Sequence, residues 1–373
     1  MRRKTRFVCV SDTHAYTPSE AGFKLPAGDV LIHAGDLTNH GSMAELRKTM
    51  DWISAADFEV KIVICGNHDI TLDADFYARH GSKFHGQHLE NPRKCIELVT
   101  EASSPSIVFL RHESALVRLR RPNGPNTVFK VFGSPYSQSP GTWAYGYDSS
   151  EAAELWSRIP LDTDIVVTHT PPHSHCDRHG AAAESVGCKA LREALSNVRP
   201  MLAVCGHVHE SRGYERVKWP PSSIPSLSVS STQDRPSQVT QGCLPPSGSR
   251  KQSLVDLTGK KSSKLDNDGF FAEQVVATSL GALFQSTQNV ILAPLPDPSL
   301  GRTQNTEADR SDSESALSCL KRGEHDDENG LHSHRHETCI INAAIIATSW
   351  PHRGGKRFNT PIVVDLELPT WKG

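Results

Sequence analysis

The chain has 373 residues, of which 37% are hydrophobic and 22% charged; this suffices for two domains, or for one domain with a long insertion that lacks a core of its own. A net charge of −2 leaves no basic surface for a nucleic acid polymer and no acidic tail. Nine cysteines without framework spacing argue against a disulfide scaffold and for a reducing compartment, and nineteen histidines are the outlying feature.

The start is basic, but its apolar run, Phe7 to Val10, is too short for a signal peptide. No apolar stretch reaches the ~18 residues of a membrane span, so a soluble, cytoplasmic protein is expected. Arg6 to Val10 (RFVCV) reads as a strand, and Ser11-Asp12-Thr13-His14 follows at once. Residues two apart in an extended chain project to one side, so Asp12 and His14 can reach one ion past the strand end. Asp29 to Leu37 (DVLIHAGDL) is a buried strand in which Gly35 clears the turn and Asp36 is delivered at the end. Met43, Leu46, Met50 and Ile53 then recur at helical spacing within Ser42 to Ala55, and Ser42 with Glu45 forms a capping box.

Phe58 to Cys65 (FEVKIVIC) is the next strand, ending in Gly66-Asn67-His68-Asp69, and the strand-helix-strand order is that of a βαβ unit. Asn91-Pro92 opens another helix. Ser106 to Leu110, Ala115 to Leu119 and Thr127 to Phe132 read as strands, expected to be antiparallel because no helix-length segment separates them. The Gly-, Pro- and aromatic-rich loop from Gly133 to Tyr147 suits either a packed cover or a substrate-facing lid. Asp148 to Arg158 is expected as a helix with a second capping box between Asp148 and Glu151. A strand from Asp164 to Thr168 carries His169 at its end; a helix from Gly187 to Val198 and a strand from Met201 to Cys205 lead to Gly206-His207-Val208-His209.

Beyond Trp219 the composition changes: residues 220–338 hold 20 serines and three aromatics, Phe270, Phe271 and Phe284. This span is expected to be a Ser-rich, largely disordered insertion. Within it, Phe270 to Phe284 suits an amphipathic helix that docks on the domain or on a protein partner, and the HSHRH run from His332 to His336 reads as solvated. Cys339 to Ala347 and Pro361 to Leu368 are two strands that complete the sheets, so one domain comprises 1–219 and 339–373.

Asp12, His14, Asp36, Asn67, His169, His207 and His209 all follow apolar strands, and most stand beside glycine. Each alone is ordinary. Together they supply two carboxylates, one amide oxygen and four imidazoles at the carboxyl ends of strands, where ligands of α/β sheets gather, and they point to a metal centre.

In this order, DTH, GD, GNHD, the histidine of VVTHTPP and GHVH resemble the calcineurin-like metallophosphoesterase superfamily. The text around Cys176-Asp177 and from His207 to Trp219 is most similar to its metallophosphoesterase-domain branch. The resemblance covers Phe7 to Trp219 and resumes over the last 35 residues. It implies an α/β fold, an α+β sandwich of two mixed β-sheets packed face to face and flanked by helices, around a dinuclear metal centre. Carried over by position, it implies one ion held by Asp12, His14, Asp36 and His209, and a second held by Asp36, Asn67, His169 and His207, with Asp36 bridging. Such mixed ligands suit Mn, Fe or Zn.

Two divalent ions bring four positive charges against the two negative charges of Asp12 and Asp36, and a phosphate ester is the natural guest. Such a pair acidifies a shared water and clamps phosphoryl oxygens for in-line hydroxide attack. His68 is the expected catalytic residue, a general acid at the leaving group worth roughly 10²- to 10⁴-fold; orienting Asn67 is its other reading. Asp69 could hold the His68 ring. His173, His175 and His179 read as rim residues. Protein phosphatases of this superfamily carry an Asp-Arg-Gly after GD, whereas Leu37 to Gly41 (LTNHG) has no arginine. A phosphodiesterase on small nucleotide-type diesters is therefore expected, with a phosphomonoesterase, a nuclease or a weakly active nucleotide-binding regulatory protein as alternatives. The expected partners are a small phosphate-ester substrate, no nucleic acid polymer, no membrane, and a protein through 220–338.

Overall fold

Along the first strand, successive residues are buried on opposite sides: Phe7 and Cys9 in a core between two sheets, Val8 and Val10 beneath helices. Burial on both faces is why the strand reads as an unbroken apolar run rather than an alternating one. The structure, a computed structural model, describes residues 1–100, 106–138, 141, 143–180, 182–220, 238–246, 249, 251–269, 334–348, 351–352 and 355–371, and the backbone of 290–292.

In chain order the first elements are β1 (Arg2–Val10), β2 (Val30–Ala34), α1 (Met43–Ala55), β3 (Val60–Ile64), α2 (Ala74–His85), α3 (Pro92–Thr100), β4 (Ile107–Leu110), β5 (Glu113–Arg118), β6 (Val128–Ser134) and α4 (Ala152–Ser157). There follow β7 (Ile165–Thr168), β8 (Arg178–His179), β9 (Glu184–Ser185), α5 (Lys189–Val198), β10 (Leu202–Cys205), β11 (Gly213–Lys218), β12 (Gln238–Gln241), β13 (Ser253–Asp256), β14 (Val290–Leu292), β15 (Glu337–Asn342) and β16 (Ile362–Pro369). One sheet has the order β13-β16-β1-β2-β3-β4, the other β12-β11-β15-β10-β7-β6-β5-β14, and β8 pairs with β9. Both large sheets are mixed: β1 to β4 run parallel beside an antiparallel β16, and β6, β7, β10 and β15 run parallel between the antiparallel β5 and β11. The expected two-sheet sandwich is the observed fold.

Phe7, Ile32 and Ile62 of one sheet share a core with Phe129, Ile165 and Ile341 of the other, and the Phe7 and Phe129 rings meet edge-on at 5.4 Å. The apolar stripes of α1, α2 and α3 cover the outer face of the six-stranded sheet; Trp156 of α4 and Leu191 and Leu195 of α5 cover the other. The Ser42–Glu45 capping box starts α1 as expected, with both reciprocal bonds formed. Asn91 caps α3 through its side chain, which accepts from the Lys94 N–H.

Three expectations are corrected. The trio of strands after residue 105 is not one antiparallel set: α3 makes a crossover, so β4 pairs parallel with β3, while β5 enters the other sheet and pairs antiparallel with β6. The second capping box forms only by half: the Glu151 carboxylate accepts from the Asp148 N–H, but the Asp148 carboxylate accepts from the N–H and hydroxyl of Ser150, and the helix begins only at Ala152. Finally, the span marked by its serines contributes paired structure, since β12 extends β11 and β13 lies parallel to β16. Phe270 to Phe284 and His332 lie outside the described residues. Among the described residues no helix is long and apolar enough to cross a membrane.

Candidate metal centre

The parallel strands of both sheets end on one rim of the sandwich. From the six-stranded sheet, β1 leads into Asp12 and His14, β2 into Asp36 and β3 into Asn67; from the other, β7 leads into His169 and β10 into His207 and His209. The structure brings all seven side chains together in a closed ring. His209 Nε2 lies 3.4 Å from Asp12 Oδ1 and 3.3 Å from His14 Nε2. Asp36 Oδ2 is 3.6 Å from His14 Nε2 and 3.3 Å from His169 Nε2. Asn67 Oδ1 then stands 2.9 Å from both His169 Nε2 and His207 Nδ1, and the His207 N–H closes the ring onto the Asp12 carboxylate at 3.0 Å.

Convergence on this scale costs backbone strain. Asp12, His14, Asp36 and His207 all have positive φ, between 43° and 67°, a region that non-glycine residues seldom occupy. Strain of this kind persists only where surrounding contacts impose it, and it collects at functional sites. Gly66 shows the crowding from the other side: a Cβ there would lie 2.2 Å from Asp36 Oδ1 and 2.4 Å from the Asp36 nitrogen.

The imidazoles are aimed by backbone carbonyls. Nδ1 of His14 faces Thr38 O at 3.1 Å, that of His169 faces Ala34 O at 3.0 Å, and that of His209 faces Thr348 O at 3.1 Å. A carbonyl accepts, so each Nδ1 carries a proton and each Nε2 turns inward, which is how protein groups behind a metal site fix its histidines. Burial pushes the pKa of His14 down to about 3 and that of His207 to about 4, which keeps both rings neutral. Burial alone would raise Asp12, but the His209 hydrogen bond and nearby imidazole charge outweigh it and bring the carboxyl down to about 2. Ligand atoms of Asp12, His14, Asp36 and His209 lie within 4.8 Å of one another, and two carboxylates with two imidazoles are a donor set that fits a divalent first-row ion.

A model of the calcineurin-like phosphoesterase family matches residues 5–211. The chain belongs to that family. Probable rhamnogalacturonate lyase C of Emericella nidulans is 39% identical over 226 residues, which are 59% of this chain and 19% of that protein. Metallophosphoesterase domain-containing protein 1 of Homo sapiens is 34% identical over 221 residues, 56% of this chain and 62% of that protein. UPF0046 protein K07C11.7 of Caenorhabditis elegans is 30% identical over 208 residues, 56% of this chain and 64% of that protein. The chain thus spans less than two thirds of the length of these relatives. Similarity to the metallophosphoesterase domain-containing protein bears out the branch that the motifs indicated.

In this member of the calcineurin-like phosphoesterase family, His68 lies beside the ring rather than in it. Its N–H donates to Asp36 Oδ1 at 2.9 Å, its Nδ1 faces Asn39 O at 2.7 Å, and the Trp143 ring lies over it with centroids 4.1 Å apart. The loop from Gly133 to Tyr147 therefore does reach the site. Asp69 does not hold the His68 ring; its carboxylate accepts from the N–H groups of Leu37, Thr38 and Gly66 and from the Thr38 hydroxyl, tying the β2 and β3 turns together. His175 and His179 face Glu215 and Glu210, and His173 faces Ser174, all outside the ring.

Three contributors escaped sequence reasoning, and two of them lie past the segment matched by the family model. Asn342, fully buried at the end of β15, donates its amide to Val208 O at 2.9 Å and Cys176 O at 3.1 Å, with Gly206 O at 3.3 Å, and so pins the turn that carries His207 and His209. Thr348 supplies the carbonyl that aims His209. An asparagine directly before two alanines carries no signal in a single sequence. Asn39 is a third: its amide donates to His14 O and to Glu45, while its carbonyl orients His68.

Proposed function

We propose that this chain is a dinuclear metal-dependent phosphoesterase, with one divalent ion held by Asp12, His14, Asp36 and His209 and a second by Asp36, Asn67, His169 and His207. One observation supports this above all: Asp36 Oδ2 faces an imidazole of each set, His14 at 3.6 Å and His169 at 3.3 Å, as a shared carboxylate must. When bound, such ions supply Lewis acidity toward phosphoryl oxygens and acidify water. Mn, Fe and Zn all suit the donors.

The protein's own groups do the rest. With Nδ1–H donating to Asn39 O, the protonated His68 ring donates from Nε2 to the departing alkoxide oxygen and is left as the neutral Nδ1–H form. Trp143 covers one face of that ring. A cavity of about 360 Å³ beside the centre, lined by His14, Tyr16, Asn39 and Glu45 among others, has room for a small alcohol portion. The absence of arginine between Leu37 and Gly41 favours a singly charged diester of nucleotide type over a phosphomonoester dianion. The domain of this reading comprises 1–219 and 339–373, with 220–338 as an insertion available to a protein partner. The cysteines at described positions are all free, in keeping with a reducing cytoplasm.

The test is turnover by metal-stripped protein reloaded with Mn²⁺, Fe²⁺ or Zn²⁺, on bis(p-nitrophenyl) phosphate and on p-nitrophenyl phosphate. The diester is expected to be cleaved faster. A loaded protein that cleaves neither contradicts the reading.

A further inference from the structure

A second cavity, of about 560 Å³, opens on the same rim as the metal centre. Strand register fixes its place. Asn342 of β15 stands beside Cys205, at the end of the strand that leads to His207, and also opposite Gly213 of β11. Gln241 of β12 pairs with Glu215, and on the other sheet Ser253 of β13 pairs with Ile362, which is opposite Cys9 of β1. The cavity walls are the chain from Glu210 to Glu215, Arg178 of the β8–β9 hairpin, and Gln241 to Pro246 from the insertion. That last wall is fitted to β11: a Cβ on Gly242 would lie 1.9 Å from the Tyr214 ring.

The charges in these walls are unevenly satisfied. Glu215 and Glu210 are turned to His175 at 2.9 Å and His179 at 2.8 Å. Among the described residues the two guanidiniums meet only neutral oxygens: Arg212 donates to Ser253 Oγ at 3.0 Å and Thr360 O at 2.7 Å, and Arg178 to Ala183 O at 3.2 Å. Among the described residues the buried Arg212 Nε has no acceptor, and burial pulls this guanidinium's pKa down to about 10. A buried cation without an anion is costly to keep, and a guanidinium fork matches phosphate oxygens.

We infer that this cavity takes a second phosphate group of the substrate, on the side away from the scissile bond, through Arg178 and Arg212. The inference rests on the phosphoesterase reading and narrows it to diesters that carry a further, terminal phosphate. It also gives the ordered segment Gln238 to Pro246 a purpose, as a specificity wall that the insertion adds to the domain.

The experiment compares two p-nitrophenyl phosphodiesters on Mn²⁺-loaded protein, one whose second alcohol is ethanol and one whose second alcohol is 2-phosphoethanol. The wild type is expected to prefer the phosphate-bearing ester, and Arg178→Ala and Arg212→Met each to lower the kcat/KM ratio of the two esters by about tenfold, as loss of a charge-assisted bidentate bond would. Arg178 is exposed, so its variant keeps the test decisive should Arg212→Met fail to fold. An unchanged ratio in Arg178→Ala overturns the inference. A second arm titrates metal-free protein with inorganic phosphate: binding by the wild type that Arg178→Ala loses supports the cavity even where neither ester is hydrolysed, in which case only the hydrolytic reading fails. Phosphate binding that is absent or independent of Arg178 overturns it.

Discussion

His14 and His209 hold their Nε2 atoms 3.3 Å apart while each ring's Nδ1 faces a backbone carbonyl. Rings so anchored turn both Nε2 atoms inward, with the Asp36 and Asp12 carboxylates alongside. The carboxylate of Asp12 raises the pKa of His209, whereas burial keeps His14 neutral, so positive charge is drawn to this spot and a divalent ion can take the place of the His209 proton.

Metal should therefore stabilise this fold. A ligand that binds only the folded state contributes about 4 kcal/mol at a thousandfold excess over its Kd. Thermal unfolding of chelator-stripped protein is expected at lower temperature than that of Mn²⁺-loaded protein, and His209→Ala is expected to lose most of the difference. An equal rise in the variant would contradict the placement of His209.

Gly66→Ala is expected to behave as a metal-site mutant, although residue 66 offers no ligand. Its new Cβ would meet both the side chain and the backbone nitrogen of Asp36, within 2.4 Å. Since supporting groups typically alter metal affinity 10- to 100-fold, a loss of at least about tenfold in metal titration is expected, with circular dichroism retained. Wild-type affinity would show that Asp36 has room to move.

His68→Ala is expected to keep its metal and lose roughly 10²- to 10⁴-fold in kcat, the scale of a missing general acid. Metal content and single-turnover rates separate the two. Loss of metal in step with activity would assign His68 to orienting Asn67 and Asp36 instead.

Asn342→Ala removes the amide that serves Val208 O and Cys176 O; Val208 O keeps the Ser211 N–H, while Cys176 O loses the amide that reaches it. Leaving a buried carbonyl unsatisfied costs about 1–3 kcal/mol, so the urea midpoint should fall. Metal affinity should fall too, about 10- to 100-fold, because His207 and His209 lose their anchor. A variant that is merely less stable, with unaltered metal affinity, would restrict Asn342 to the fold.

What the sequence shows clearly is what depends on neighbouring residues. Apolar runs ending in Gly35-Asp36, Gly66-Asn67 and Gly206-His207 mark strand ends, and Ser42 with Glu45 marks the start of α1. The ring of seven side chains could be named for the same reason: each member directly follows its strand. What is hidden depends on distant partners. Asp69 sits beside His68 in sequence yet serves Leu37, Thr38 and Gly66. Asp148 keeps only half of its capping pattern, since its N–H bonds Glu151 while its carboxylate bonds Ser150. Asn342 acts on a turn 134 residues away, across an insertion, and nothing local announces it. Serine content likewise concealed β13, because an edge strand of four residues needs only Val255 facing the core.

Metal stoichiometry of wild-type protein and Asp36→Asn tests the central claim most directly, by elemental analysis after stripping, reloading with Mn²⁺ and desalting. Two ions per wild-type chain, with both lost or greatly weakened in Asp36→Asn, is the result expected of a bridging carboxylate. A wild-type chain that retains no metal, or an Asp36→Asn variant that retains two ions as firmly as the wild type, would contradict the dinuclear centre and the phosphoesterase built upon it.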